Sequence, residues 1–426
     1  MPAPTIYDIA AAHREALLRG DQAAATAMVR AYGQAWLKLQ DQLGKIWDTL
    51  ERQKAEAETE GKPFDPNGLL VFQRDRIEAL RSQVEAEIGR IAGRADGWIQ
   101  HNQREAIQAA GRHTDEMTQA ALRLGTAGDG EVLGSFTRVP VEALTDLVGF
   151  MRDGSPLRDL LDRMAGQAGK AVERALIQGL ATGQNPRTMA RAIRKELGYS
   201  LARHLTIART ETLRAYREAC LRNYQANDDV VDGWIWLSAR QSRTCAACWA
   251  LAGTVHKLSE RLEDHPNGRC TMLPVTKNWG ELGVTGRGET SIAGRVPLGV
   301  DLFDKLPEGQ KQAILGSAAY RAYTDGAVKL PDFVGHKTHP RWGGMHYTRS
   351  LSEILGPAAA KYYRSGPGPA PAPGSGPAPA ATPPAPAPAP QPLTPAQMVE
   401  ADLRQVEAEL QQQQASLHYE RRQWVP

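Results

Sequence analysis

From about Thr5 to Gly125 apolar residues return at helical intervals, Ala35, Trp36, Leu39, Leu43 and Ile46 among them, in a background of Ala, Leu, Gln, Glu and Arg. The pattern predicts long amphipathic helices. The stretch "EGKPFDPNG" stops one helix before "LLVFQRDRIEALRSQVEAEIGRIAG" starts the next, so residues 1–130 read as a helical hairpin or bundle, an arm suited to docking. A second helical block runs from Pro140 to Asn227. Within it Gly198 separates "QNPRTMARAIRKELG" from "SLARHLTIARTETLRAYREACLRNYQAN", which reads as two helices around a turn, the outline of a helix-turn-helix. Beyond Asn227 the period changes: "DGWIWLSA", "GTVHKL" and "GRCTMLPV" read as strands, "PEGQKQAILGSAAYRAYTDG" as shorter helices, and a loop-rich section carries His336, His339 and His346. Residues 140–360 are therefore expected to form a compact α+β domain in a chain that is α+β overall and mostly α.

The C-terminal part has a different character. Residues 366–395 are built from Pro, Ala and Gly, a composition that buries no core and favours polyproline II, so they read as a semi-rigid tether. Residues 396–426 follow as an amphipathic helix, started by Thr394, Pro395 and Gln397 as cap, first helical residue and returning partner. Val399, Leu403, Val406 and Leu410 fall on one seam, rejoined by Leu417. A helix on a tether has no core of its own to cover, so the seam predicts docking on a partner or self-association.

At 426 residues the chain exceeds one core, and 42% hydrophobic content is enough to build two or three units. The net charge of +3 conceals a local excess: between Ala181 and Asn227 nine Lys or Arg against three Glu leave +6. Arg191, Arg194 and Lys195 come together on one helical surface, and with Arg203, Arg214 and Arg217 they are expected to face nucleic-acid phosphates; a solvated helical face is the plainer explanation. Four cysteines do not make a disulfide framework, and "MPAPTIYDIAAAHREALLRG" has no apolar core of a secretion signal, which predicts folding in a reducing compartment. No uninterrupted apolar run approaches the roughly 20 residues that cross a bilayer.

Three of the cysteines cluster with a histidine: Cys245-x2-Cys248, sixteen residues, then His265-x4-Cys270. A CxxC turn presents two sulfurs to one point and a second turn, reversed by Pro266, Asn267 and Gly268, can complete the tetrahedron that zinc prefers. Reduced cysteines packed in the domain, or a redox CxxC at a helix start, are the alternatives, and His256 is a substitute for His265 as ligand. Four protein ligands leave no open position, the mark of a structural rather than a catalytic zinc. The chain has no Walker loop, nucleophile elbow or HExxH helix, and "TGRGET" lacks the context of a phosphate cradle.

The order "IARTETLRAYREA", "WIWLSARQSRTCAACWALAGTVHKL" and "HPNGRC" resembles the head-morphogenesis domain of phage minor head proteins, the Mu protein F-like or SPP1 protein 7-like family. Arg209, Thr210, Glu211, Trp236, Arg243, Thr244, Cys245, Cys248, Leu251, Gly253, His265, Pro266, Arg269 and Cys270 match the family's places. Gln241 stands where the family often has Asp, and Gly268 where it has the first Cys of Cys-Arg-Cys, so His265 and Cys270 carry more of the metal hypothesis. The resemblance spans about Ser155 to Leu355. It implies a non-enzymatic minor capsid protein inside the head near the portal, with portal, capsid or scaffold proteins and packaged DNA as partners, acting in head assembly and in DNA packaging or ejection. The rival expectations are a metal-dependent nuclease working through the Cys/His cluster and Glu211, and a cytoplasmic interaction scaffold.

Overall fold

The computed structural model describes residues 5–61, 74–123, 136–181, 184, 186–240, 244–284, 291–340 and 342–363. The predicted tether at 366–395 and the predicted terminal helix with Val399, Leu403, Val406 and Leu410 lie outside the described residues. Among those described, no helix is long and apolar enough to cross a membrane.

Four long helices dominate: α1 (Ile6–Thr59), α2 (Arg74–Arg123), α3 (Leu157–Ala181) and α4 (Pro186–Gln225). Then come β1 (Val231–Leu237), α5 (Ala246–Leu251), β2 (Val255–Lys257) and β3 (Thr271–Thr276). Short helices α6 (Gly299–Asp304), α7 (Glu308–Leu315) and α8 (Ser317–Thr324) precede a β4 (Val334–His339) and β5 (Gly343–Thr348) antiparallel pair, and α9 (Leu351–Leu355) and α10 (Ala360–Tyr363) close the described chain. The fold is mostly helical α+β, and the three predicted strands form one antiparallel sheet in the order β2-β1-β3.

Two expectations differ: the section read as loop-rich around His336, His339 and His346 is the β4–β5 pair, in which His336 faces His346 across the ladder, and one helical element is continuous where a break was expected. The helix-turn-helix around Gly198 is absent: α4 runs unbroken through that glycine. A lone Gly costs a helix only about 1 kcal/mol relative to Ala. Ile193 and Leu197 are buried and Leu201 half-buried at i, i+4 and i+8, so one continuous apolar face spans the position and outweighs that cost.

The described chain divides into two compact units, each discontinuous in sequence: residues 5–22, 97–157 and 206–363 in one, and 23–96 and 158–205 in the other. Helices α1, α2 and α4 each contribute a stretch to both. The division therefore does not follow the linear one at 130–140.

The all-helical unit is held by the expected stripes: Tyr32, Trp36, Leu39 and Leu43 of α1 meet Leu80, Val84 and Ile88 of α2, Ala168, Val172 and Leu176 of α3, and Ile193 and Leu197 of α4. In the mixed unit the sheet is covered on both faces, and the strand period of two decides which side chain goes where. Trp234, Trp236 and Met272 pack with Tyr216 and Ala219 of α4 and with Ile107 of α2. Ile235, Leu237, Leu273 and Val275 point the other way, onto Ile6 of α1 and Met117 of α2. Helix α5 bridges two cores, since Cys248 joins the tryptophan side while Trp249 packs on Phe303 and Phe333.

Candidate metal centre

Cys245 caps α5: its extended backbone starts the helix and its Sγ accepts from the Cys248 amide at 3.4 Å, so the first turn brings both sulfurs of the CxxC to one side. The loop between β2 and β3 delivers the other half. Asn267 takes the left-handed conformation at φ 66° and the Gly268 amide closes a turn on the His265 carbonyl at 2.9 Å, which sends the chain back into β3 with Cys270 at its entrance.

His265 places Nε2 at 3.5 Å from Cys245 Sγ, while Nδ1 donates to the Pro266 carbonyl at 2.9 Å and so fixes the ring. A tetrahedral zinc with ligands at about 2.0–2.3 Å needs donors about 3.5 Å apart, and this pair has that spacing. The donor atoms of Cys245, Cys248 and His265 lie within 4.8 Å of one another. Those of Cys248, Asp264 and Cys270 do so as well. The predicted ligands therefore fall into two groups that share Cys248, and Cys270 arrives in company with an aspartate that sequence reasoning did not single out.

Asp264 organises this loop. Its buried carboxylate accepts from Arg217 Nη2 at 2.9 Å, from the His265 amide at 2.9 Å, from the Cys270 amide at 3.1 Å and from Cys248 Sγ at 3.5 Å. Arg217 completes the brace with Nε on the Cys270 carbonyl at 2.8 Å and Nη2 on the Gly268 carbonyl at 3.0 Å. An Asp in "LEDHPNG" looks like any turn residue; the only signal was its place beside His265, and its partner lies in α4.

The electrostatics set the protonation pattern. Cys245 is pulled down to about 4, chiefly by the hydrogen bond from Cys248 and against its own burial, with His265 adding to the pull. Burial lowers His265, but its contact with Cys245 and the charge of Asp264 outweigh it and bring the ring to about 9. Cys248 is pushed far up by its contacts with Cys245 and Cys270 and by burial. Cys270 is also raised: the Cys248 hydrogen bond pulls it down, and burial and Asp264 prevail. Any cation entering among these sulfurs displaces their protons, so its binding is coupled to pH. Cys220, the fourth cysteine, lies apart in the core, raised to about 12 by burial, and none of the four is in a disulfide.

Gly268 has a defined reason to be glycine here. A Cβ at that position would fall inside the van der Waals shell of the Asp264 carboxylate, which its four donors hold in place. Gly268→Ala is expected to cost about 1–3 kcal/mol through overpacking. Urea midpoints of the two chains measure it, and an unchanged midpoint would show that the carboxylate does not occupy that space.

The basic residues predicted to face phosphates separate. Arg191, Lys195 and Arg203 are exposed on α4, Lys195 over the Tyr199 ring and Arg203 on Gln167 Oε1 at 3.2 Å; Arg194 is half-buried. These four belong to the all-helical unit, while Arg214 and Arg217 belong to the mixed one. Arg214 spends Nε on Glu211 at 2.7 Å and Nη2 on the Phe150 carbonyl at 2.5 Å. Arg217 is corrected outright: it is buried, and its donors hold the cysteine loop rather than facing solvent. Glu211 is fully buried beside Arg214 and belongs to neither metal-ligating group. His256, the substitute ligand, stacks on Trp234 with ring centroids 4.3 Å apart and bonds to Thr254, outside both groups.

Residues 170–273 of the chain match the family model described as Phage Mu protein F like protein, in agreement with the resemblance to a phage head-morphogenesis domain. No curated protein and no solved structure matches the chain.

Proposed function

We propose that the chain is a minor capsid protein of a phage head, located inside the head near the portal, and that it serves assembly and DNA packaging or ejection as a structural part rather than as an enzyme. The observation that carries this reading is the family match at 170–273, which takes in the Arg209-Thr210-Glu211 helix, β1, the CxxC and the loop through Cys270. Mass spectrometry and gold labelling of purified particles test it: the chain should be found in heads at low copy beside the portal vertex, and its absence from heads would end the reading.

Within that reading Cys245, Cys248 and His265 hold a structural zinc, with Cys270 drawn in as fourth ligand from the neighbouring group that shares Cys248. The sulfur and imidazole donors suit that metal, and the 3.5 Å separation of Cys245 and His265 fits its ligand spacing. Zinc would supply a rigid cross-link between the α5 turn and the β2–β3 loop. Element analysis should return one zinc per chain, lost in Cys248→Ser, the residue both groups share.

The exposed Arg191, Lys195 and Arg203 of α4, with Arg194 beside them, contact packaged DNA through its phosphates. Replacing Arg191, Lys195 and Arg203 together with Glu should lower the affinity for duplex DNA and flatten its salt dependence, because each phosphate contact releases counterions on binding. Unchanged binding in a mobility-shift titration would remove the DNA contact while leaving the capsid role standing.

A further inference from the structure

A cleft of about 280 Å³ in the mixed unit is bordered by Arg217 and Asp264 of the brace. Five arginines line it, and each is tied to one of five carboxylates: Arg152 to Glu263 at 2.6 Å, Arg214 to Glu211 at 2.7 Å, Arg217 to Asp264 at 2.9 Å, Arg222 to Asp146 at 2.8 Å and Arg261 to Glu218 at 3.1 Å. Arginines and carboxylates are equal in number, with Arg222 also 3.6 Å from Glu218, so the cleft carries no surplus positive charge for an anion. What remains is an acceptor. Glu211 is fully buried, its Oε2 is used by Arg214, and its Oε1 has no hydrogen-bond partner.

A buried carboxylate oxygen left unpaired is costly, and a charge-assisted donor is the group that best relieves it. Burial holds the Glu211 carboxyl above the usual carboxylate range against the pull of Arg214, a penalty that a second cationic donor offsets. The walls suit the rest of such a ligand, since Leu147, Met151, Leu221 and Leu262 offer apolar surface to a methylene stem.

We propose that this cleft takes an alkylammonium or guanidinium group on a methylene stem, the end of a lysine or arginine side chain or of a polyamine, with Glu211 Oε1 as its acceptor. Trp342 lines the same cleft and its indole N–H is buried without a partner. That donor matches a main-chain carbonyl, which favours a basic side chain brought by another polypeptide over a free polyamine.

Isothermal titration of the full chain with N-acetyl-lysine methylamide, N-acetyl-arginine methylamide, the norleucine analogue and spermidine tests the proposal. One of the basic compounds should saturate with a dissociation constant in the millimolar range or below, and the norleucine analogue, equal in stem but lacking charge, should not. Glu211→Gln should weaken that binding about tenfold or more, as loss of a charged hydrogen bond implies. Trp342→Phe should weaken the amides alone; spermidine binding that exceeds both amides and ignores this change would assign the cleft to polyamines. Equal binding of lysine and norleucine compounds to the unaltered chain, no saturation by any basic compound at about 10 mM, or full affinity in a folded Glu211→Gln chain would overturn it.

Discussion

Asp264→Ala is expected to destabilise the mixed unit by about 3–5 kcal/mol, because it leaves the Arg217 guanidinium buried without its counter-charge. The two backbone amides that the carboxylate now accepts, those of His265 and Cys270, lose their partner in the same step. A loss of this size is comparable with the whole stability of a marginal domain, about 5–15 kcal/mol. Near-UV circular dichroism reads it directly, since Trp234 and Trp236 pack in the core that also holds Cys248 and Cys270.

A graded series separates charge from packing. Asp264→Asn keeps an acceptor of similar shape and should lose less than Ala. Arg217→Met alone should also be costly, since it strips donors from the Cys270 and Gly268 carbonyls and leaves Asp264 buried and unpaired. The double change Asp264→Leu with Arg217→Met should cost clearly less than the sum of its parts, the behaviour of a coupled buried pair. Strict additivity in denaturant titrations would mean that the two side chains do not act together.

This brace marks the limit of what the sequence made legible. The helical stripes are local and came through intact, as did the three strands, because periods of 3.6 and 2 follow from backbone geometry alone. The spacing Cys245-x2-Cys248 and then His265 likewise anticipated three donors that the structure brings within 4.8 Å. Arg217 and Asp264 lie 47 positions apart and form a contact with no local pattern, so a buried arginine was counted into a surface charge. Gly198 was read as a stop because glycine punctuates many helices, whereas the burial of Leu197 and half-burial of Leu201 on either side of it depend on partners in other helices. The discontinuity of the two units was hidden for a related reason. The periodicity of α1, α2 or α4 says that a face is apolar, and nothing about where along its length that face changes partners.

Stability of the mixed unit should also fall as pH drops below about 6.5, with His113 as a principal cause. Its imidazole stacks on that of His13, with ring centroids 3.4 Å apart and planes 2° from parallel. Around the pair, Glu116 meets His13 Nε2 at 2.8 Å, the Tyr216 hydroxyl meets His113 Nδ1 at 3.0 Å, and Arg112 adds positive charge. Burial, His13 and Arg112 drive His113 down to about 3. Burial also lowers His13, with Glu116 opposing it. The His113 ring is therefore neutral in the folded chain at a pH where the unfolded chain already binds protons. The stabilisation is complete above the unfolded value near 6.5 and is lost as pH falls from there toward the folded value. Each proton taken up on unfolding contributes up to about 1.4 kcal/mol per pH unit, so His113 alone accounts for about 2 kcal/mol between pH 6.5 and 5. Urea titrations at several pH values, on the parent chain and on His113→Phe, isolate this part, because His204 and His256, also lowered by burial, contribute equally to both chains. The variant leaves the Tyr216 hydroxyl without its ring partner and should start less stable at pH 7.5, yet lose less on acidification. Parallel pH profiles for the two chains would show that the fold does not hold the His113 ring neutral.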